Sequence, residues 1–284
     1  MKKKIGLILE GGGFRGIYSA GILDYFLEKN IEIPYVIGVS MGACNGANYI
    51  SKQKGRNIEI PYKYINDERY ISYKNFLKKG ELFGMEFIFE EITNKLNPFD
   101  FDTFYNSKQK FIVTATDCKT GKAHYIENFK KYSLSEALKA STSLPYVSKI
   151  VKLGEYELLD GGIADPIPYK KALDDGCEKI IVILTQPKGY VKSKMKLQTL
   201  GKIIYKDYPK LRETMKNRHI NYNNAIKELE KLEENGKAFI IRPKSKLPIA
   251  RTERDKEKLK KAFELGYTQG KEIINEIKKF CEIE

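Results

Sequence analysis

A chain of 284 residues, 42% hydrophobic and 31% charged, has the composition of a globular protein with a sizeable core, which excludes a disordered or low-complexity chain. No apolar run approaches the roughly 18 residues of a membrane-spanning helix, and the first one, Ile5 to Leu9, ends at Glu10, short of a signal-peptide core. The formal net charge of +14 is uneven: residues 185–284 hold 25 Lys+Arg against 14 Asp+Glu, whereas residues 1–184 hold 26 against 23. Such a basic C-terminal part suits an anionic partner or a lysine-rich solvated surface.

In chain order, KIGLIL at 4–9 predicts a buried strand, followed by a glycine-rich loop at 10–13. Ile17, Ile22, Leu23, Phe26 and Leu27 recur at helical spacing over 17–28, and Asn30 closes that helix. YVIGV at 35–39 is a second strand, with a helix over 41–51. This β-loop-α-β-turn-α order opens a mainly parallel sheet covered by helices. Residues 52–110 are more polar and aromatic, and predict a mostly helical insertion or lid with a helix at 84–95. KFIVTATD at 110–117 is a strand, Thr120-Gly121 a turn, and KAHYIEN at 122–128 returns as a hairpin. Ser133 and Glu136 form a capping box for a helix that stops before Pro145. YELLDGG at 156–162 is a strand entering a turn, a helix follows at 169–175, and KIIVIL at 179–184 is a continuous apolar strand. Beyond Pro187 the chain becomes lysine-rich, with helices expected at 194–218, 220–235 and 253–279 and a strand, KAFIIRP, at 237–243. The expected organisation is a catalytic domain over 1–187 and a basic, mostly helical C-terminal region over 188–284.

Ser40 lies between the second strand and its helix, flanked by Gly38 and Gly42. G-x-S-x-G in that context is either a nucleophile elbow, whose glycines make room for crossing backbones, or a small-residue turn. GGGFRG at 11–16 fits the dinucleotide fingerprint G-x-G-x-x-G, but a Rossmann fold wants an acid at the end of its second strand. Glu32, at the right distance, precedes that strand instead. The other use of such a loop is to aim the N–H groups of Gly11, Gly12 and Gly13 at a developing oxyanion. Arg15 adds a positive charge that either steadies this loop or faces a phosphate on the substrate. Asp160, in the DGG at 160–162, is either a turn former or the base a serine nucleophile needs. Only two histidines exist, His124 and His219, and both are expected to be structural or surface residues. A Ser-Asp dyad is therefore favoured over a histidine triad. Cys44, Cys118, Cys177 and Cys281 show neither C-x-x-C spacing nor histidine neighbours, so no metal site and no cofactor is expected. Four free thiols fit a reducing, cytoplasmic compartment, with a peripheral position on the inner face of the membrane as a further expectation.

These residues resemble the patatin-like phospholipase family in four blocks that occur in its order. They are Gly11-Gly12-Gly13-Phe14-Arg15-Gly16, Gly38-Val39-Ser40-Met41-Gly42, Ala140-Ser141-Thr142-Ser143-Leu144-Pro145 and Asp160-Gly161-Gly162. The resemblance covers about residues 5–187, and the lysine-rich tail, with IRP at 241–243 and LPIARTERD at 247–255, resembles the C-terminal part of a bacterial branch. It implies a three-layer α/β/α fold, a Ser40-Asp160 dyad, an acyl-enzyme and hydrolysis of phospholipid or other acyl-ester substrates. An esterase or thioesterase acting on soluble acyl substrates is the alternative.

Residues 188–218 hold ten Lys+Arg and two acids, interleaved with Tyr190, Val191, Met195, Leu197, Leu200, Ile203, Ile204 and Tyr205. A basic helix with an apolar face suits peripheral contact with an anionic membrane; the alternative is that the apolar face packs on the domain. No nucleic-acid-binding motif appears, so nucleic acid is not an expected partner.

Overall fold

The computed structural model describes residues 4–127, 129–194 and 198–282. Eight strands form one mixed sheet: β1 (Ile5–Leu9), β2 (Tyr35–Val39), β3 (Lys110–Asp117), β4 (Ala123–Ile126), β5 (Val151–Leu153), β6 (Tyr156–Asp160), β7 (Lys179–Ile183) and β8 (Ala238–Ile241). Five of them run parallel in the order β3-β2-β1-β7-β8. The antiparallel pairs are β3-β4, β3-β6 and the β5-β6 hairpin.

The central strands are buried on both faces, as their unbroken apolar runs require. Leu7, Leu9 and Val36 belong to the core shared with helices α1 (Gly16–Glu28), α2 (Met41–Ile50) and α10 (Lys256–Cys281). Ile8, Ile37 and Val182 belong to the opposite core, shared with α7 (Tyr169–Asp174) and α9 (Pro209–Glu234). The strand period of two thus divides one sheet between two helical layers. α10 lies directly on α1: a Cβ on Gly266 would stand 1.9 Å from the carbonyl oxygen of Tyr18, so only glycine allows this backbone approach. Among the described residues no helix is long and apolar enough to cross a membrane.

Between β2 and β3 lie α3 (Arg56–Tyr64), α4 (Tyr73–Lys79), a π-helical segment (Phe87–Leu96) and α5 (Phe101–Asn106). The helix expected at 84–95 is this π-helical segment; Thr93 Oγ1 donates to the Ile88 carbonyl five residues back, at 3.0 Å. α6 (Leu134–Thr142) carries the complete Ser133–Glu136 capping box.

The C-terminal region differs from its expected layout. A short α8 (Gln198–Ile204) is followed by a single 26-residue α9, so the break expected near residue 219 lies instead before Pro209. Proline at the first helical position loses no internal hydrogen bond, and Leu211, Met215, Tyr222 and Leu229 keep one buried stripe running past residue 219. Residues 195–197 of the expected helix at 194–218 lie outside the described residues. β8 joins the main sheet beside β7, so the basic region completes the sheet as well as covering it. β5, absent from the expected elements, pairs back on β6 across Gly154.

Candidate active site

Register brings Ser40 and Asp160 together. β3 outlasts β2: Thr114 is the last β3 residue paired with β2, opposite Val39, and the next, Ala115, pairs with Asp160. β4 pairs with both Thr114 and Ala115, so it occupies the other edge of β3, and β2 and β6 share one edge end to end. Ser40 follows Val39, and Ser40 and Asp160 line the same narrow polar cleft.

Ser40 has φ 54° and ψ −126°, a conformation that an L-residue holds only when its surroundings impose it. A Cβ on Gly42 would stand 2.4 Å from the Leu9 carbonyl oxygen, and one on Gly38 would stand 2.6 Å from Ala43 Cα. Both are the backbone crossings that a strand-to-helix elbow creates. The Ser40 N–H donates to Ser141 Oγ at 2.8 Å, and Ser141 Oγ donates to the Thr114 carbonyl at 2.6 Å. The Asp160 N–H donates to the Ser143 carbonyl at 2.7 Å. Residues 140–145 therefore hold both members of the pair from behind.

Asp160 is 3% exposed. Its Oδ1 accepts the Gly162 N–H at 2.8 Å, while its Oδ2 is buried and has no partner among the described residues. Gly11 and Gly12 line the same cleft. Among the described residues the N–H groups of Gly11, Gly12 and Gly13 donate to no protein acceptor, and neither does the Met41 N–H in the first turn of α2. Sequence alone does not mark Met41, although in a nucleophile elbow the residue after the serine is a regular source of such a donor. Arg15 steadies the loop, its Nε donating to the Gly12 carbonyl at 3.3 Å, and also lines the cleft.

Ser40 also borders a second, mostly apolar cavity of about 1030 Å³ including its open mouth. Phe14, Met41, Cys44, Phe83, Phe89 and Leu144 are among the residues that line it. The helical segment between β2 and β3 thus supplies much of an apolar chamber beside the serine. Neither histidine borders either space. His124 stacks on Tyr156 with ring centres 3.9 Å apart, and burial lowers its pKa. His219 lies on α9. All four cysteines are free.

Three further cations reach the cleft from the C-terminal region: Lys192, Arg218 and Arg251. Sequence alone does not single them out: Arg218 on a charged helix looks like part of a solvated face, and Lys192 and Arg251 lie in irregular basic segments. The chain folds back through tertiary contacts that no local pattern records. The Phe14 N–H donates to the Arg251 carbonyl at 3.1 Å, and the Arg218 guanidinium donates to the Gly162 carbonyl.

A mainly parallel sheet flanked by helices, with a serine at a sharp strand-to-helix turn, a glycine loop beside it and an aspartate on the abutting strand, defines a three-layer α/β protein. The chain belongs to the Patatin-like phospholipase family, which matches residues 7–173. Residues 208–282 match a second family, described as a Domain of unknown function (DUF6363). The chain is 29% identical over 192 residues to the uncharacterized protein YjjU of Escherichia coli K12, covering 65% of this chain and 52% of that protein. It is 25% identical over 168 residues to the uncharacterized NTE family protein Rv1063c of Mycobacterium tuberculosis, covering 58% of this chain and 44% of the other. The chain thus spans about half the length of these curated relatives. Over a shorter stretch of 47 residues it is 45% identical to the lysophospholipase nte1 of Aspergillus terreus, covering 16% of this chain and 3% of that protein. Among solved structures, VipD from Legionella pneumophila superposes with a TM-score of 0.50 at 12% identity, covering 97% of this chain and 67% of that one. At that identity the likeness is one of fold.

Proposed function

We propose that the chain is a serine acyl hydrolase that cleaves carboxylic esters of lipids through Ser40 and Asp160. The observation that carries this is the buried, unpartnered Oδ2 of Asp160 in the cleft that Ser40 lines, where a serine hydroxyl is the natural donor to complete it. Asp160 takes the hydroxyl proton as Ser40 Oγ attacks the ester carbonyl. The N–H groups of Gly11, Gly12 and Gly13 receive the developing oxyanion, and one such donor is typically worth about 10²–10³ in rate. Collapse of the tetrahedral intermediate expels the alcohol, which takes up the proton. Asp160 then draws a proton from water as it attacks the acyl-serine, and collapse of the second intermediate frees the acid while Asp160 returns the proton to Ser40 Oγ. The apolar cavity takes the acyl chain, and the family membership supports a lipid ester as substrate. The printed name of the Aspergillus relative, a lysophospholipase, points the same way over the stretch it shares.

We propose further that α8 lies near the membrane. Ile203 is 71% exposed, next to Lys202, while Tyr205 turns inward and packs on Tyr146, close to the cavity residue Leu144. The expected apolar face is therefore divided, part packed and part facing outward.

The test is labelling with a fluorophosphonate probe, with and without anionic vesicles. Wild type labels in at least one condition, and Ser40→Ala labels in neither. Asp160→Asn lowers the labelling rate by orders of magnitude. Equal labelling of wild type and Ser40→Ala, or none of folded wild type in either condition, overturns the assignment.

A further inference from the structure

The cleft beside Ser40 gathers more positive charge than ester hydrolysis needs. Arg15, Lys192, Arg218 and Arg251 line it, against two carboxylates, Glu10 and Asp160. Glu10 is already engaged, accepting the N–H and hydroxyl of Thr185 at 2.6 and 3.0 Å. Among the described residues none of the four cations is in an ion pair; those of the C-terminal region lie elsewhere, as at Arg242 with Glu230.

The Arg218 side chain and the backbones of Lys192 and Arg251 are held in place. Arg218 is fixed by its bond to the Gly162 carbonyl, two residues from Asp160. The backbone of Lys192 is clamped by Asn223 of α9, which accepts its N–H at 2.9 Å and donates to its carbonyl at 3.1 Å. The Lys192 ammonium stands 4.2 Å from the centre of the Tyr222 ring. Arg251 is tied to the glycine loop through the Phe14 N–H. They also repel one another: burial first, then Arg218 and Arg251 among other charges, push the Lys192 pKa down to about 7. Burial and then Arg251 lower that of Arg218. An anion entering the cleft relieves both effects at once.

We propose that Lys192, Arg218 and Arg251 form, with Arg15, an anion subsite, and that the preferred substrate is an acyl ester whose alcohol half carries a phosphate close to the ester oxygen. This rests on the hydrolase assignment above. Ser40 has the apolar cavity on one side and the cationic cleft on the other, so an acyl chain in the cavity leaves the alcohol half among the cations. Three guanidinium groups favour an oxyanion with several acceptor oxygens, because each planar fork can donate to two of them. Three of the four cations lie outside the residues matched to the Patatin-like phospholipase family, and Arg218 and Arg251 lie within the DUF6363 match. The C-terminal region would thus supply the selectivity of a site whose nucleophile belongs to the N-terminal part.

The test compares kcat/KM for 1-acylglycerol 3-phosphate and the 1-acylglycerol of the same chain length, both as monomers. Wild type favours the phosphate ester by about ten-fold or more, and Arg218→Gln and Arg251→Gln each lower that ratio by about ten-fold. Arg254→Gln removes the same charge outside the cleft and leaves the ratio at its wild-type value. A wild-type ratio near one, or a ratio unmoved by Arg251→Gln with Arg218→Gln either unmoved or unfolded, overturns the subsite while leaving the hydrolase intact. Inorganic phosphate separates two sources of the anion. Competition with the neutral ester shows that free phosphate suffices; preference without competition shows that the phosphate is read only when attached to an acyl ester. If neither ester is hydrolysed, the hydrolase assignment fails and calorimetry with the same two lipids decides the subsite. Tighter binding of the phosphate lipid, lost in Arg251→Gln, sustains it; equal binding removes it.

Discussion

Ser141 Oγ accepts the backbone N–H of Ser40 at 2.8 Å and donates its own O–H to the Thr114 carbonyl at 2.6 Å. One hydroxyl thus ties the elbow to the strand whose next residue, Ala115, pairs with Asp160. Ser40 needs that restraint because its φ is positive and its ψ lies outside the left-handed helical well. Ser141→Ala leaves a buried N–H without its acceptor, a loss of about 1–3 kcal/mol. A lower urea midpoint at unchanged slope is expected, together with slower fluorophosphonate labelling as the elbow relaxes. Unchanged stability and labelling would show that the elbow holds itself.

Much of this architecture is legible locally. The apolar runs at β1, β2, β3 and β7 are long enough to declare buried strands, and the Ser133–Glu136 box marks the start of α6. The motifs around Gly11, Ser40 and Asp160 are each a few consecutive residues whose chemistry depends on their neighbours in sequence. What escapes is tertiary. Ser141 stands in a recognisable block, but its bond to Ser40 spans 101 positions. Arg218 sits on a charged helix where only the return of α9 to the cleft distinguishes it from a solvated arginine. The continuity of α9 through residue 219 also depends on burial, since only Leu211, Met215, Tyr222 and Leu229 of its residues are buried.

Asp24 carries a pH dependence unrelated to catalysis. It is 2% exposed on α1, and burial raises its pKa from 3.8 to about 6, against the lowering effect of the Gly55 N–H bond and of Lys54. The folded state therefore binds more protons than the unfolded chain between about pH 4 and 6, and stability falls as pH rises through that window. This contribution is complete below pH 4 and gone above the folded pKa. Asn in its place can still accept from Gly55 but cannot titrate. The melting temperature of Asp24→Asn relative to wild type should rise between pH 4 and pH 7; a constant difference would mean that the carboxyl does not titrate there.

The thiols should be quiet. Burial pushes Cys44 and Cys118 up to about 12, and Cys177 and Cys281 up to about 11, so thiolate is scarce near neutrality. A chromogenic disulfide reagent at pH 8 should titrate far less than one thiol per native chain within minutes, and all four in denaturant. Prompt reaction of the native protein at Cys44 would show that the apolar cavity opens wide enough to admit the reagent and stabilise the anion.

Ile203 tests the proposed lipid-facing role of α8 without touching the site. It is 71% exposed and Ile204 48%, with Lys202 between Leu200 and Ile203 on the same short helix. Apolar side chains that enter the interface contribute by burial, and the neighbouring lysines by attraction to anionic headgroups. Ile203→Glu removes one and opposes the other, so it should lower co-sedimentation with anionic vesicles about ten-fold, as two kinds of contact fail together. Hydrolysis of a monomeric short-chain ester should stay at the wild-type rate, because Ile203 borders neither the apolar cavity nor the cationic cleft. Pelleting that is equal for the variant and wild type, or equal on neutral and anionic vesicles, assigns these exposed side chains no part in reaching lipid.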